Sequence, residues 1–139
     1  MKRIIALLLI FSVAYFVGSA AAQSKKLAAE MIQKSLLEAK TTQETKPILD
    51  PAIYAREFTQ HRAYQIAKEI PHVLDKLFCY CYCAINPRFK HKSLKTCYTG
   101  NHAAECGVCM REAFIAKQMT DDGKTPEQIA TVFTDMYAK

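Results

Sequence analysis

All six cysteines of the chain, Cys79, Cys81, Cys83, Cys97, Cys106 and Cys109, fall within one short stretch. No other feature restricts the fold as much, because that stretch must end as a bridged knot, a metal centre or a redox site. In "FCYCYCAI", Phe78 to Ile85, three of the thiols occupy alternate positions. Two residues of extended chain advance roughly 6.6 Å, whereas bridged cysteines hold their Cβ atoms about 3.8 Å apart. A bridge inside Cys-x-Cys is therefore strained, and any pairing must run outward to Cys97, Cys106 or Cys109. The same alternation puts several sulfurs on one face of the chain, as a thiolate–metal site requires.

The second cysteine group is "ECGVC", with Cys106 and Cys109 at an expected helix start. Backbone N–H groups and the helix dipole there favour thiolate over thiol. Arg88, Lys90, Lys92 and Lys95 stand against Glu105 alone between the first and last cysteine, an excess able to offset thiolate charge. A Cys-x-Cys pair with a later Cys-x-x-Cys is the ligand supply of a tetrahedral site. The expected ligands are Cys81, Cys83, Cys106 and Cys109, with Cys79, Cys97, His91 and His102 as additional ones; Cys79 and Cys97 can instead form a disulfide. Such soft donors suit copper or zinc. Met110 follows Cys109 where a c-type haem site needs histidine. His61 and His72 read as ordinary packing or surface residues. Tyr80, Tyr82 and Tyr98 are expected to shield the thiols.

Around this stretch the pattern is helical. Tyr54, Phe58, Ala63, Ile66, Ala67 and Ile70 recur along one side of a segment from Ala52 to Leu77 that Pro71 interrupts. A helix from about Cys106 carries Cys109 or Met110, Ala113, Ala116 and Met119 inward and ends near Gly123. In "TPEQIATVFTDMY", Thr125 is the N-cap, Pro126 the first helical residue and Gln128 the capping-box partner. Ile129, Val132, Phe133, Met136 and Tyr137 then form an apolar stripe directed to the core. No alternating strand, phosphate loop, nucleophile elbow or internal repeat is present. The expected fold is mainly α, a small helical domain with a cysteine-rich irregular segment packed against the helices.

The first residues, "MKRIIALLLIFSVAYFVGSAAAQ", run from Lys2 and Arg3 through an apolar stretch to Ala20, Ala21 and Ala22. That order is a secretory signal peptide spanning residues 1–22, and it predicts an exported protein, periplasmic or extracellular, with no membrane span after cleavage. Loss of the signal leaves 17 basic against 13 acidic side chains, a net charge of +4. With no Lys/Arg block and no basic stripe interleaved with aromatics, a nucleic-acid partner is not expected. Residues 23–50 read as an amphipathic arm and linker, with Leu27, Met31, Ile32 and Leu36 at helical spacing, and residues 51–139 as the cysteine-rich helical domain.

"EIPHVLDKLFCYCYC", "HKSLKTC", "HAAECGVCMREA" and "GKTPEQIATVFTDMY" together resemble the bacterial PCYCGC-motif proteins, which are exported or lipid-anchored and have no established function. The resemblance extends from Phe58 to Lys139 and lies in the order of Cys79, Cys81, Cys83, His91, Cys97, His102, Cys106 and Cys109. Phe78 stands in place of the motif's proline, and Tyr82 and Ala84 in place of glycines. The resemblance implies one cysteine-rich unit. The residues themselves point to a non-enzymatic metal-binding protein. Two other readings stay open: a thiol–disulfide oxidoreductase using Cys106 and Cys109, and a module stapled by disulfides.

Overall fold

The computed structural model describes residues 43–137, together with Glu30, Gln33, Lys34, Leu37, Glu38, Ala39 and Thr41, which are helical. The expected signal peptide and the Leu27, Met31, Ile32 and Leu36 positions lie outside the described residues. Among the described residues there is no strand, and no helix is long and apolar enough to cross a membrane. The fold is mainly helical, with the cysteine segment packed against the helices. Ser35–Lys139 forms one compact unit.

Its helices are α1 (Phe58–Glu69), α2 (Pro71–Leu74), α3 (Gly107–Asp121) and α4 (Pro126–Tyr137). Three 3-10 turns accompany them, at Pro51–Tyr54, Lys95–Tyr98 and Asn101–Glu105. Asp50 opens the first turn by accepting the Ala52 N–H at 3.0 Å, with Pro51 at the first position, where its missing N–H costs nothing. Pro71 forces Ile70 out of the helical region, to φ −125° and ψ 45°, and so separates α1 from α2. Ala63, Tyr64, Ile66 and Ala67 form the buried face of α1. Phe58 does not join them and is 85 % exposed. It lies five residues before Ala63, and at about 100° per residue that step faces away from the buried stripe.

The segment before Pro51 is seated on the domain and is no free linker. The Glu44 N–H donates to both oxygens of Asp75, at 3.1 and 3.0 Å. Thr96 donates to the Glu44 carboxylate at 2.9 Å, Lys95 donates to the Glu44 carbonyl at 2.6 Å, and the Leu49 N–H donates to the Tyr98 carbonyl at 3.0 Å. These bonds fix the Lys95–Tyr98 turn, which carries Cys97.

α3 packs against α1, α2 and α4, burying Cys109, Glu112, Ala113 and Ala116. It closes before Gly123, whose φ of +76° suits glycine. The capping box of α4 forms as the sequence predicts. The Thr125 N–H donates to Gln128 Oε1 at 2.9 Å, and the Gln128 N–H donates to Thr125 Oγ1 at 3.4 Å. Ile129 and Phe133 are buried, while Met136, expected in the core, is 44 % exposed. Thr125→Ala is expected to cost about 1 kcal/mol, seen as a Tm lower by about 4–8 °C with metal content unchanged. Equal midpoints for the two proteins would show that the cap carries no stability.

Candidate metal centre

Four pieces of chain deliver the six sulfurs and His102. The loop after α2 brings Cys79, Cys81 and Cys83; the Lys95–Tyr98 turn brings Cys97; the Asn101–Glu105 turn brings His102; and the start of α3 brings Cys106 and Cys109. Each is tied to the core close to a ligand. The Leu94 N–H donates to the Leu77 carbonyl at 2.7 Å, drawing the Cys97 turn against the Cys79 loop. The Tyr64 hydroxyl donates to the Gly100 carbonyl at 2.6 Å, and the Tyr98 hydroxyl to the Cys109 carbonyl at 2.8 Å. The Tyr64 and Tyr98 rings meet edge to face at 5.0 Å, so one aromatic pair holds both turns and the helix start.

The cysteine loop turns sharply at Tyr82, whose φ is +60°. The Tyr82 N–H donates to the Cys79 carbonyl at 3.1 Å, and the Tyr82 carbonyl accepts from the Asn86 N–H at 3.2 Å. A left-handed conformation costs a non-glycine residue roughly 1–2 kcal/mol. This turn thus survives without glycine, at the expense of backbone strain.

The six sulfurs are unbridged. Cys79 lies 3.4 Å from Cys81 and 3.4 Å from Cys109, Cys83 lies 3.4 Å from Cys97, and Cys109 lies 3.7 Å from Cys81. Cys81 Sγ is 3.4 Å from His102 Nε2, and Cys97 Sγ is 3.3 Å from His91 Nδ1. Two sets of four bring their ligand atoms within 4.8 Å of one another: Cys81, His102, Cys106 and Cys109, and Cys83, His91, Cys97 and His102. Cys79 joins Cys97 and Cys109 in one triad, and Cys81 and Cys83 in another. Every residue expected from the sequence is in the cluster, where Cys81, Cys106 and Cys109 share a set with His102 and Cys83 shares a triad with Cys79 and Cys81. Cys83 sits with Cys97 and His91, and His102 takes its place beside Cys81, Cys106 and Cys109.

The protons are unevenly held. Cys109 and Cys79 direct their S–H groups at Cys81, and these contacts hold the Cys81 thiol far below its ordinary range. Burial, then contact with Cys109 and Cys81, holds Cys79 up as a thiol. Contacts with Cys79 and Cys81 do the same for Cys83, and contacts with Cys109 and Cys79 for Cys97. Cys79 favours the Cys109 thiolate, but Cys81 and burial outweigh it and hold that thiol up to about 12. These contacts favour the thiolate at Cys81, in the loop, over Cys109 at the helix start. Burial and the neighbouring His102 lower His91, which keeps it neutral and able to ligate.

The expected cationic offset is not built. Lys95 turns to Asp75, 3.7 Å away, and to the Glu44 carbonyl, Arg88 lies over the Phe89 ring, and Lys90 and Lys92 are exposed. His61 is structural, its Nδ1 2.9 Å from the Pro51 carbonyl, and His72 is exposed. Tyr80 shields the cluster by stacking on Tyr137 at 5.6 Å and bonding Thr134 at 2.7 Å.

Two participants are not among the residues expected from the sequence. Phe89 packs against His102 and His91, at 4.6 and 5.6 Å between ring centres. Glu112, fully buried, accepts the Tyr80 N–H through Oε1 at 2.8 Å and thereby fixes the backbone between Cys79 and Cys81. Its Oε2 has no partner, and burial pushes the carboxyl up to about 8. A helical spacing of three from Cys109 was the one available clue, since it places Glu112 on the same inward face.

Fold and cluster together define a small helical protein built around a centre of six cysteines and two histidines that can hold a metal ion. Residues 7–139 match the model of a family described as proteins of unknown function with a PCYCGC motif, and the chain belongs to that family. No curated protein and no solved structure gives a significant match.

Proposed function

We propose that this is an exported, non-enzymatic protein that binds copper or zinc through its cysteine thiolates. The observation that carries the reading is the sulfur spacing. At 3.4–3.7 Å the sulfurs stand well beyond the bonded separation of about 2.05 Å. They approach the edge of about 3.8 Å that a tetrahedron with Zn–S bonds of about 2.3 Å requires. The histidines and the surrounding soft sulfurs complete a donor set without a hard carboxylate ligand. The export half of the proposal rests on the basic, apolar and small-residue order of residues 1–22 and predicts a mature chain that begins at Gln23.

Protein isolated from its native compartment without reductant is expected to carry bound copper or zinc by elemental analysis, with its cluster cysteines protected from alkylation. Because Cys79, Cys83, Cys97 and Cys109 are held as thiols, metal binding must expel their protons. Affinity therefore falls as pH falls. Stripped of metal, the protein is expected to alkylate first at Cys81, the partly buried thiolate. A metal-free isolate with six bridged, inert sulfurs would replace this reading with the stapled module, and one with a single exchangeable Cys106–Cys109 bridge would replace it with the oxidoreductase.

A further inference from the structure

We propose that the centre takes two soft metal ions, one in each of two donor groups that meet at His102; the inference rests on the metal-binding reading above. The donors outnumber the needs of one ion. A four-coordinate zinc or copper engages four ligands, whereas eight side chains are gathered here. They include two sets of four, each with its ligand atoms within 4.8 Å of one another and both containing His102: Cys81, Cys106 and Cys109 with His102, and Cys83, Cys97 and His91 with His102.

An ion in the first group leaves three donors of the second in place. Cys83 and Cys97 remain 3.4 Å apart, with His91 Nδ1 3.3 Å from Cys97, and both sulfurs are buried. Cys79 stands between the groups, in one triad with Cys97 and Cys109 and in another with Cys81 and Cys83. A thiolate in that position can bridge two ions.

The two groups differ in access to solvent. A cavity of about 300 Å³ is lined by Cys81, His102 and Cys106 of the first group, and by Cys83 and His102 of the second. Cys97 is fully buried. The ion of the first group is consequently the exchangeable one, entering and leaving past Phe89 and Glu105 on the cavity wall.

The test is a zinc titration of the reduced, metal-free chain followed by native mass spectrometry. Saturation at two zinc ions per chain is expected, with a chelator removing them in two phases. Cys106→Ser is expected to hold one ion and to lose the fast phase, and Cys97→Ser to hold one ion and keep it. Saturation of the unaltered chain at one ion overturns the two-ion centre while leaving metal binding in place, and no uptake at all overturns the reading beneath it. Loss of both ions in either single variant, with helical content retained by circular dichroism, also overturns the division into two groups. The unaltered chain decides the stoichiometry by itself if a variant fails to fold.

Discussion

Zinc at a free concentration about a thousand times its dissociation constant is expected to stabilise the reduced protein by about 4 kcal/mol, which raises Tm by about 15–30 °C for a domain of this size. The size of the effect follows from where the ligands sit. The Cys79–Cys83 loop, the Lys95–Tyr98 turn and the Asn101–Glu105 turn are separate pieces of chain, so an ion that ties them to α3 removes freedom the metal-free chain keeps. The helices are expected to persist without the ion, because Tyr64, Tyr98, Leu74, Leu77, Leu94 and Phe133 are buried independently of it. Magnesium, which prefers oxygen ligands, is expected to leave Tm unchanged. Calorimetry with zinc, with magnesium and with a chelator makes the comparison, and a midpoint indifferent to zinc would remove the metal reading.

The helices were legible because their ends are written in local chemistry. Thr125, Pro126 and Gln128 specify a start from side-chain geometry alone, and the observed bonds are those of the capping box. Pro71 and Gly123 act through backbone restriction, which needs no tertiary context. Errors arose where an apolar residue was assigned inward by type. Phe58 occupies the first turn of α1, off the Ala63–Ile66–Ala67 stripe, and Met136 is left exposed in the last turn of α4 while Tyr137 beside it stacks on Tyr80. The seating of Glu44 on Asp75 and Thr96 depends on partners at least 31 residues away, and no local pattern encodes it.

Membership of the site was legible for a similar reason: cysteines are few, and their clustering in sequence already limits their separation in space. The grouping was not. Alternation in "CYCYC" brings Cys81 and Cys83 together with Cys79, but beyond that triad the left-handed turn at Tyr82 leaves Cys83 beside Cys97 and Cys81 beside His102. That turn was hidden by the absence of glycine. Charge reasoning failed at the lysines because a long side chain finds the nearest carboxylate, and for Lys95 that is Asp75. Glu112 was passed over because glutamate in a helix is ordinarily a surface residue.

Glu112→Gln is expected to gain on the unaltered protein by about 3 kcal/mol of folding free energy between pH 4.5 and pH 7. The folded carboxyl is pushed up to about 8 from an ordinary 4.5, chiefly by burial, against the downward pull of Cys79 and the Tyr80 N–H. Below pH 4.5 the group is protonated both folded and unfolded, and its full contribution is present. As pH rises, the unfolded chain releases the proton first, so stability falls until the folded carboxyl ionises near pH 8. Glutamine carries no titrating proton and retains an oxygen for the Tyr80 N–H, so its stability lacks this decline. Cysteine titration affects both proteins, and their difference isolates Glu112. Glu112→Ala, by contrast, strands the Tyr80 N–H and is expected to be less stable than glutamine at every pH by about 1–3 kcal/mol. Urea unfolding of the reduced, metal-free proteins across this pH range measures all three. Parallel curves for glutamate and glutamine would mean that the buried carboxyl is already ionised in the folded protein, and that the surroundings of Cys79 and Tyr80 compensate its charge.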